Sequence, residues 1–125
     1  MESFKNFEQK ILDEILKFHK VDAVYLYGSR AKGTFTAESD WDIAVLYCEF
    51  IKDLLERTLR PQMLEAHLEK ILKMYNKIHV VDLEIVPVPL QYNIIKGNKL
   101  FDRMVPHVRK VENAIISKIE LDYTI

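Results

Sequence analysis

Residues 28–45 read GSRAKGTFTAESDWDIAV, a Gly28-Ser29 turn joined through a ten-residue spacer to Asp40-Trp41-Asp42. The run before it, Val21-Asp22-Ala23-Val24-Tyr25-Leu26-Tyr27, is rich in β-branched and aromatic residues, which predicts a buried strand delivering its carboxyl end to Gly28. A glycine there admits backbone dihedrals closed to other residues and a close approach of a ligand to the main chain. Ser29 supplies a hydroxyl and is placed to cap a short helix from about Arg30, with Gly33 as its end. Exposed amides at such a turn suit phosphate oxygens, and Arg30 and Lys32 add positive charge beside it.

Asp40 and Asp42 open a second strand, Trp41 to Tyr47, in which residues two apart project from one face. Paired carboxylates repel unless a cation neutralises them. Hard oxygen donors in this arrangement are what Mg²⁺ takes when protein carboxylates share its shell with water and substrate phosphates. Two such ions would activate an attacking hydroxyl and stabilise a departing pyrophosphate. The plainer reading makes Asp40 a turn cap and Asp42 a solvated acid. Trp41, on the opposite face, is expected in the core.

A further strand is predicted over Ile78-His79-Val80-Val81-Asp82-Leu83-Glu84-Ile85-Val86, where two acids share a face opposite Val81, Leu83 and Ile85. Either acid is placed to complete a metal triad. Asp82 sits deeper in the apolar run, where a metal or an ion partner would account for a buried charge; Glu84 is the alternative, as an exposed residue on an edge strand. Pro87 and Pro89 are expected to end this strand and to confine its continuation to an edge or a loop.

The rest of the chain reads as scaffold. Phe4, Phe7, Ile11, Leu12, Ile15 and Phe18 recur at helical spacing after Ser3, a potential N-cap. A second helical region runs from Ile51 to about Tyr75, with Pro61 marking a kink or a fresh start. Val108, Val111, Ile115 and Ile119 predict an amphipathic closing helix. His19, His67, His79 and His107 show no zinc-motif spacing, and none is expected in catalysis. Cys48, the only cysteine, excludes an intrachain disulfide and is expected as a small core hydrophobe.

At 125 residues one domain, spanning residues 1–125, is expected. Hydrophobic residues make up 49% and charged ones 30%, the balance of a soluble globular protein. Neither a membrane-spanning stretch nor a signal-peptide core is present, so the expected location is cytoplasmic. With 18 Lys and Arg against 19 Asp and Glu, the chain lacks the basic excess of a domain that grips long nucleic acid through its phosphates.

Gly28-Ser29, the ten-residue spacer and Asp40-Trp41-Asp42 match the GSx10DxD signature, so the chain resembles the DNA polymerase β-like nucleotidyltransferase superfamily and its minimal (MNT) members. Val81-Asp82-Leu83 resembles the strand of the family's third carboxylate. Leu90 to Phe101 resembles the short helix, glycine and strand that follow it. Glu112 to Tyr123 is similar to the closing helix of MNT antitoxins that pair with HEPN-domain toxins.

The resemblance implies an α+β fold, with a small mixed, twisted sheet and helices packed on one side. It further implies ATP as substrate, Mg²⁺ as cofactor, and transfer of AMP to a hydroxyl, with Gly28 and Ser29 on the β- and γ-phosphates and Asp40, Asp42 and Asp82 on the metals. The implied acceptor is a tyrosine of a HEPN toxin ribonuclease, which the chain would silence as antitoxin. Two alternatives stand beside it: a module that neutralises its partner by binding alone, and an adenylyltransferase acting on a small molecule.

Overall fold

The computed structural model describes residues 4–122, with side chains from residue 6. The expectations for Ser3, the Phe4 side chain and Tyr123 fall outside that range. The elements run α1 (Phe4–Phe18), β1 (Val21–Tyr27), α2 (Ser29–Lys32), β2 (Trp41–Tyr47), α3 (Leu54–Leu72), β3 (Ile78–Asp82), α4 (Val88–Ile95), β4 (Asn98–Asp102) and α5 (Pro106–Asp122).

The strands form one sheet in the order β3-β2-β1-β4. β1 is antiparallel to both β2 and β4, while β2 and β3 are parallel, so the sheet is mixed, as expected. Its two central strands, β1 and β2, are buried almost throughout. That burial is why both read as near-continuous apolar runs instead of alternating patterns.

Helices cover both faces, not one. Ile11, Leu12 and Ile15 of α1 pack with Leu64 and Leu68 of α3 on Val24, Leu26, Ile43 and Val45. Ile94 of α4 packs with Val108 and Ile115 of α5 on the other face, against Ala23, Tyr25, Ala44 and Leu46. The expectation of a one-sided cover came with the resemblance; the apolar stripes of the helices do not say which face of the sheet they meet. With β1 apolar on both sides, each face has to be shielded from water.

The prolines lie in or at helices, and Pro87 and Pro89 act differently from expectation. Pro61 is buried inside α3, which continues through it, giving up one backbone hydrogen bond without ending. Pro87 does not start a loop or edge strand but precedes α4 at its cap, with Pro89 in the first turn, where a missing N–H costs nothing. β3 therefore ends at Asp82, and Glu84 lies in the following turn, beyond the strand. The α4, Gly97 and β4 succession is the helix, glycine and strand that the sequence implied. No helix among the described residues is long and apolar enough to cross a membrane.

Candidate functional site

The antiparallel pairing of β1 with β2 sets Tyr27 opposite Asp42. The carboxyl end of β1, where Gly28 begins, thus meets the amino end of β2. Gly28 adopts φ 74° and ψ −156°, a region essentially restricted to glycine. It also has no room for a side chain, because a Cβ there would run into the Asp42 carboxylate. The turn and Asp42 are consequently packed together.

Gly28 is itself the cap of α2, which starts at Ser29, one residue earlier than the sequence suggested. Its carbonyl accepts from the amides of Ala31 and Lys32. Gly33 closes the turn in the left-handed conformation with its N–H on the Ser29 carbonyl, as expected. Replacing Gly28 by alanine should cost about 1–3 kcal/mol from backbone strain alone, with the collision added. Urea denaturation of the Gly28→Ala variant measures this, and a change below the lower bound would contradict the reading.

Arg30 does not face outward to a phosphate. It is buried, donates from Nε and Nη2 to the Ser39 carbonyl at 3.2 and 2.9 Å, and stacks 4.0 Å above the Trp41 ring. Its guanidinium clips the loop that carries Asp40 to the body of the protein. Lys77 clips it from the other side, donating to the Glu38 carbonyl at 2.8 Å, while the Trp41 amide donates to the Lys77 carbonyl at 2.7 Å. Trp41 is core, as expected, with Phe7 at 5.1 Å between ring centres.

Burial holds the Asp42 carboxyl above its ordinary value; the Asp40 charge adds to this and the neighbouring His79 opposes it. Among the described residues no group of three or more His, Cys, Asp or Glu side chains converges as a metal cage. That donor set suits Mg²⁺, which takes one or two carboxylates and fills its shell with water and substrate phosphates.

Asp82 is not part of this site. In the parallel ladder it lies opposite Val45, whereas Asp42 lies opposite His79. Three residues separate the two positions, about 10 Å along the strand, and the odd number turns Asp82 to the other face. There its charge meets Arg60, whose Nη2 is 3.6 Å from Oδ2, and its Oδ1 accepts the Glu84 amide at 2.9 Å. The buried acid has its explanation in an ion partner and not in a metal.

Glu84 also lies at that far end, 3.9 Å from His107 Nε2. His107 and Arg103 in turn reach Asp22 at 2.7 and 2.8 Å. Cys48, half-buried just after β2, donates its thiol to Asp22 at 3.1 Å, so it anchors an acid as well as filling space.

The structure adds residues that the sequence did not single out. A cleft of about 500 Å³ opens beside the turn, lined by Tyr27, Gly28, Ala31, Lys32, Leu90, Asn93, Lys96 and Gly97. Lys32 is one of its lining residues. Burial, then the Asp42 charge, pushes the Tyr27 hydroxyl up to about 12, so it remains a neutral donor. Gly97 was a possible signal for this wall, because a Cβ there would strike the Leu26 carbonyl. His79 is the other addition, with Nε2 3.0 Å from Asp40 Oδ2.

Residues 9–104 match the family described as Polymerase beta, Nucleotidyltransferase. No curated protein matches the chain. Among solved structures, a toxin–antitoxin crystal structure with AMP-PNP is 25% identical, with a TM-score of 0.70 over 90% of this chain and 86% of that one. A mutant MntA–HepT toxin–antitoxin complex is 26% identical, with a TM-score of 0.68 over 90% and 85%. A tri-AMPylated Shewanella oneidensis HEPN toxin in complex with MNT antitoxin is 23% identical, with a TM-score of 0.65 over 90% and 83%, and shares the fold.

Proposed function

Because the chain belongs to the polymerase β nucleotidyltransferase family, we propose that it moves AMP from ATP to a tyrosine hydroxyl of a HEPN-domain toxin and thereby acts as its antitoxin. One observation carries the chemical part: Asp42 is packed against Gly28, so a phosphate seated on the turn lies beside the acid pair. The acceptor rests on the resemblance and on the toxin–antitoxin structures, one of them with AMP-PNP.

In this reading the Gly28-Ser29 turn holds the β- and γ-phosphates, and Lys32 and Lys96 on the cleft wall offset their charge. Asp40 and Asp42 hold Mg²⁺, which when bound neutralises the transferring phosphate and lowers the cost of deprotonating the acceptor hydroxyl. The attacking oxygen forms its bond to the α-phosphorus as the bond to pyrophosphate breaks. Arg30 and Lys77 keep the Asp40 loop in place, and Tyr27 closes the cleft beside the turn.

Neutralisation by binding alone is favoured by one observation, that among the described residues no third carboxylate reaches the site. α3 also leaves Leu54, Leu55 and Met63 exposed, an apolar stripe of the kind that marks protein interfaces.

The two readings part in one assay. With ATP labelled at the α-phosphate, Mg²⁺ and the HEPN protein that co-purifies with this chain, the partner should become labelled and EDTA should prevent it. Labelling that persists in EDTA defeats the metal assignment. Full protection of cells without any label on the toxin selects binding alone.

A further inference from the structure

The β3 side chain that stands beside the acid pair is an imidazole. β2 and β3 run parallel with His79 directly opposite Asp42, so both side chains leave the sheet on the same face. From there His79 Nε2 reaches Asp40 Oδ2 at 3.0 Å.

Asp40 needs such a contact more than Asp42 does. Asp42 lies within β2 and is packed against Gly28. Asp40 precedes the strand, on a loop whose backbone is held by Arg30 and Lys77 but whose carboxylate is still free to turn about its own torsions. The His79 and Asp40 side chains are 46% and 44% exposed, and an ion pair so open to water adds only about 0–1 kcal/mol to stability. What the contact does is fix a direction.

We propose that His79 is a positioning residue for the metal-holding pair: its Nε2–H donates to Asp40 Oδ2 and leaves Oδ1 to a divalent cation shared with Asp42. The inference rests on the reading that Asp40 and Asp42 hold Mg²⁺. It needs a donor and no charge, so the neutral imidazole suffices. Because its Nε2 is turned to the Asp40 carboxylate, the imidazole orients a ligand in this reading. Hydrogen bonds of this kind to ligating groups are typically worth ten- to a hundredfold in metal affinity.

The test uses Mn²⁺ as the probe for the Mg²⁺ site, with a non-hydrolysable ATP analogue present and free Mn²⁺ read by electron paramagnetic resonance. His79→Ala should raise the Mn²⁺ concentration at half-saturation by about ten- to a hundredfold, with the circular dichroism spectrum unchanged. His79→Gln, whose side-chain amide also donates, should recover most of that loss. In the transfer assay the same variants should need more metal while keeping the maximal rate at saturation.

Unchanged Mn²⁺ binding in His79→Ala overturns the inference. So does a His79→Gln variant no better than alanine, because a donor would then not be what the site requires. If the unsubstituted protein also fails to bind Mn²⁺ with the analogue, the metal assignment to Asp40 and Asp42 falls first and the role of His79 with it.

Discussion

Replacing Asp42 by asparagine should abolish AMP transfer while making the protein harder to unfold at neutral pH. Losing one of two metal-holding carboxylates removes several kcal/mol of transition-state charge stabilisation, about a thousandfold in rate. The stability change has the opposite sign. Burial, with help from Asp40, holds the Asp42 carboxyl above its ordinary value. A folded-state value above the unfolded one means that the ionised form is penalised by folding. The stability linked to the neutral acid is complete below the unfolded value and is lost as pH rises through the folded one. Asparagine, which never ionises, escapes that loss.

The melting temperature of Asp42→Asn should therefore exceed that of the unsubstituted protein at pH 7.5, with the gap closing as pH falls into the acid range where both are neutral. Mg²⁺ with a non-hydrolysable ATP analogue should raise the melting temperature of the unsubstituted protein and leave the variant unmoved. Label transferred to the toxin by Asp42→Asn at the ordinary rate would remove Asp42 from the site.

The second large effect concerns stability at the opposite end of the sheet. Arg60→Ala should cost about 3–5 kcal/mol, the usual consequence of leaving a buried charge without its partner. The Arg60 and Asp82 side chains are 11% and 2% exposed, and the guanidinium also stacks 3.6 Å above the Tyr47 ring. Burial already pushes the Asp82 carboxyl up despite the nearby arginine. Without Arg60 it rises further, so the deficit should be largest at neutral pH and shrink as falling pH protonates Asp82.

Asp82→Asn combined with Arg60→Met should be milder than Arg60→Ala, because no lone charge remains. Urea denaturation of Arg60→Met, Asp82→Asn and their double gives the coupling. Mn²⁺ binding supplies the functional control. An Asp82→Asn protein that is folded yet has lost metal affinity would restore Asp82 to the site and refute the register argument.

Some residues were legible because their roles are local. Gly28 and Gly33 bracket a four-residue helix, and both were marked by a turn that only residues without a Cβ form easily. Trp41 follows from strand alternation within β2. For Leu90 to Phe101 the helix, glycine and strand came from the resemblance, and the structure has them there.

Arg30 was misread for a reason of the same scale. A cation beside a phosphate-cradling turn looks like a ligand, and nothing local says that Ser39, nine positions later in the motif's own spacer, turns back to accept it. Which faces Asp82 and His79 take was not legible either. Strand alternation separates even from odd residues but does not say which face of the sheet each set meets. β3 is apolar on both sides, and the surrounding residues supplied no tie-break.

The sequence by itself determined the Gly28-Ser29 turn, the Asp40 and Asp42 pair and the spacing that lets them meet, because these depend on backbone freedom and side-chain chemistry within one short stretch. Only the tertiary structure decided the third group beside them. The parallel register of β3 on β2 brings His79 to Asp40 and carries Asp82 to Arg60. That register is set by packing between residues far apart in the chain, and a shift of one residue would exchange the two faces.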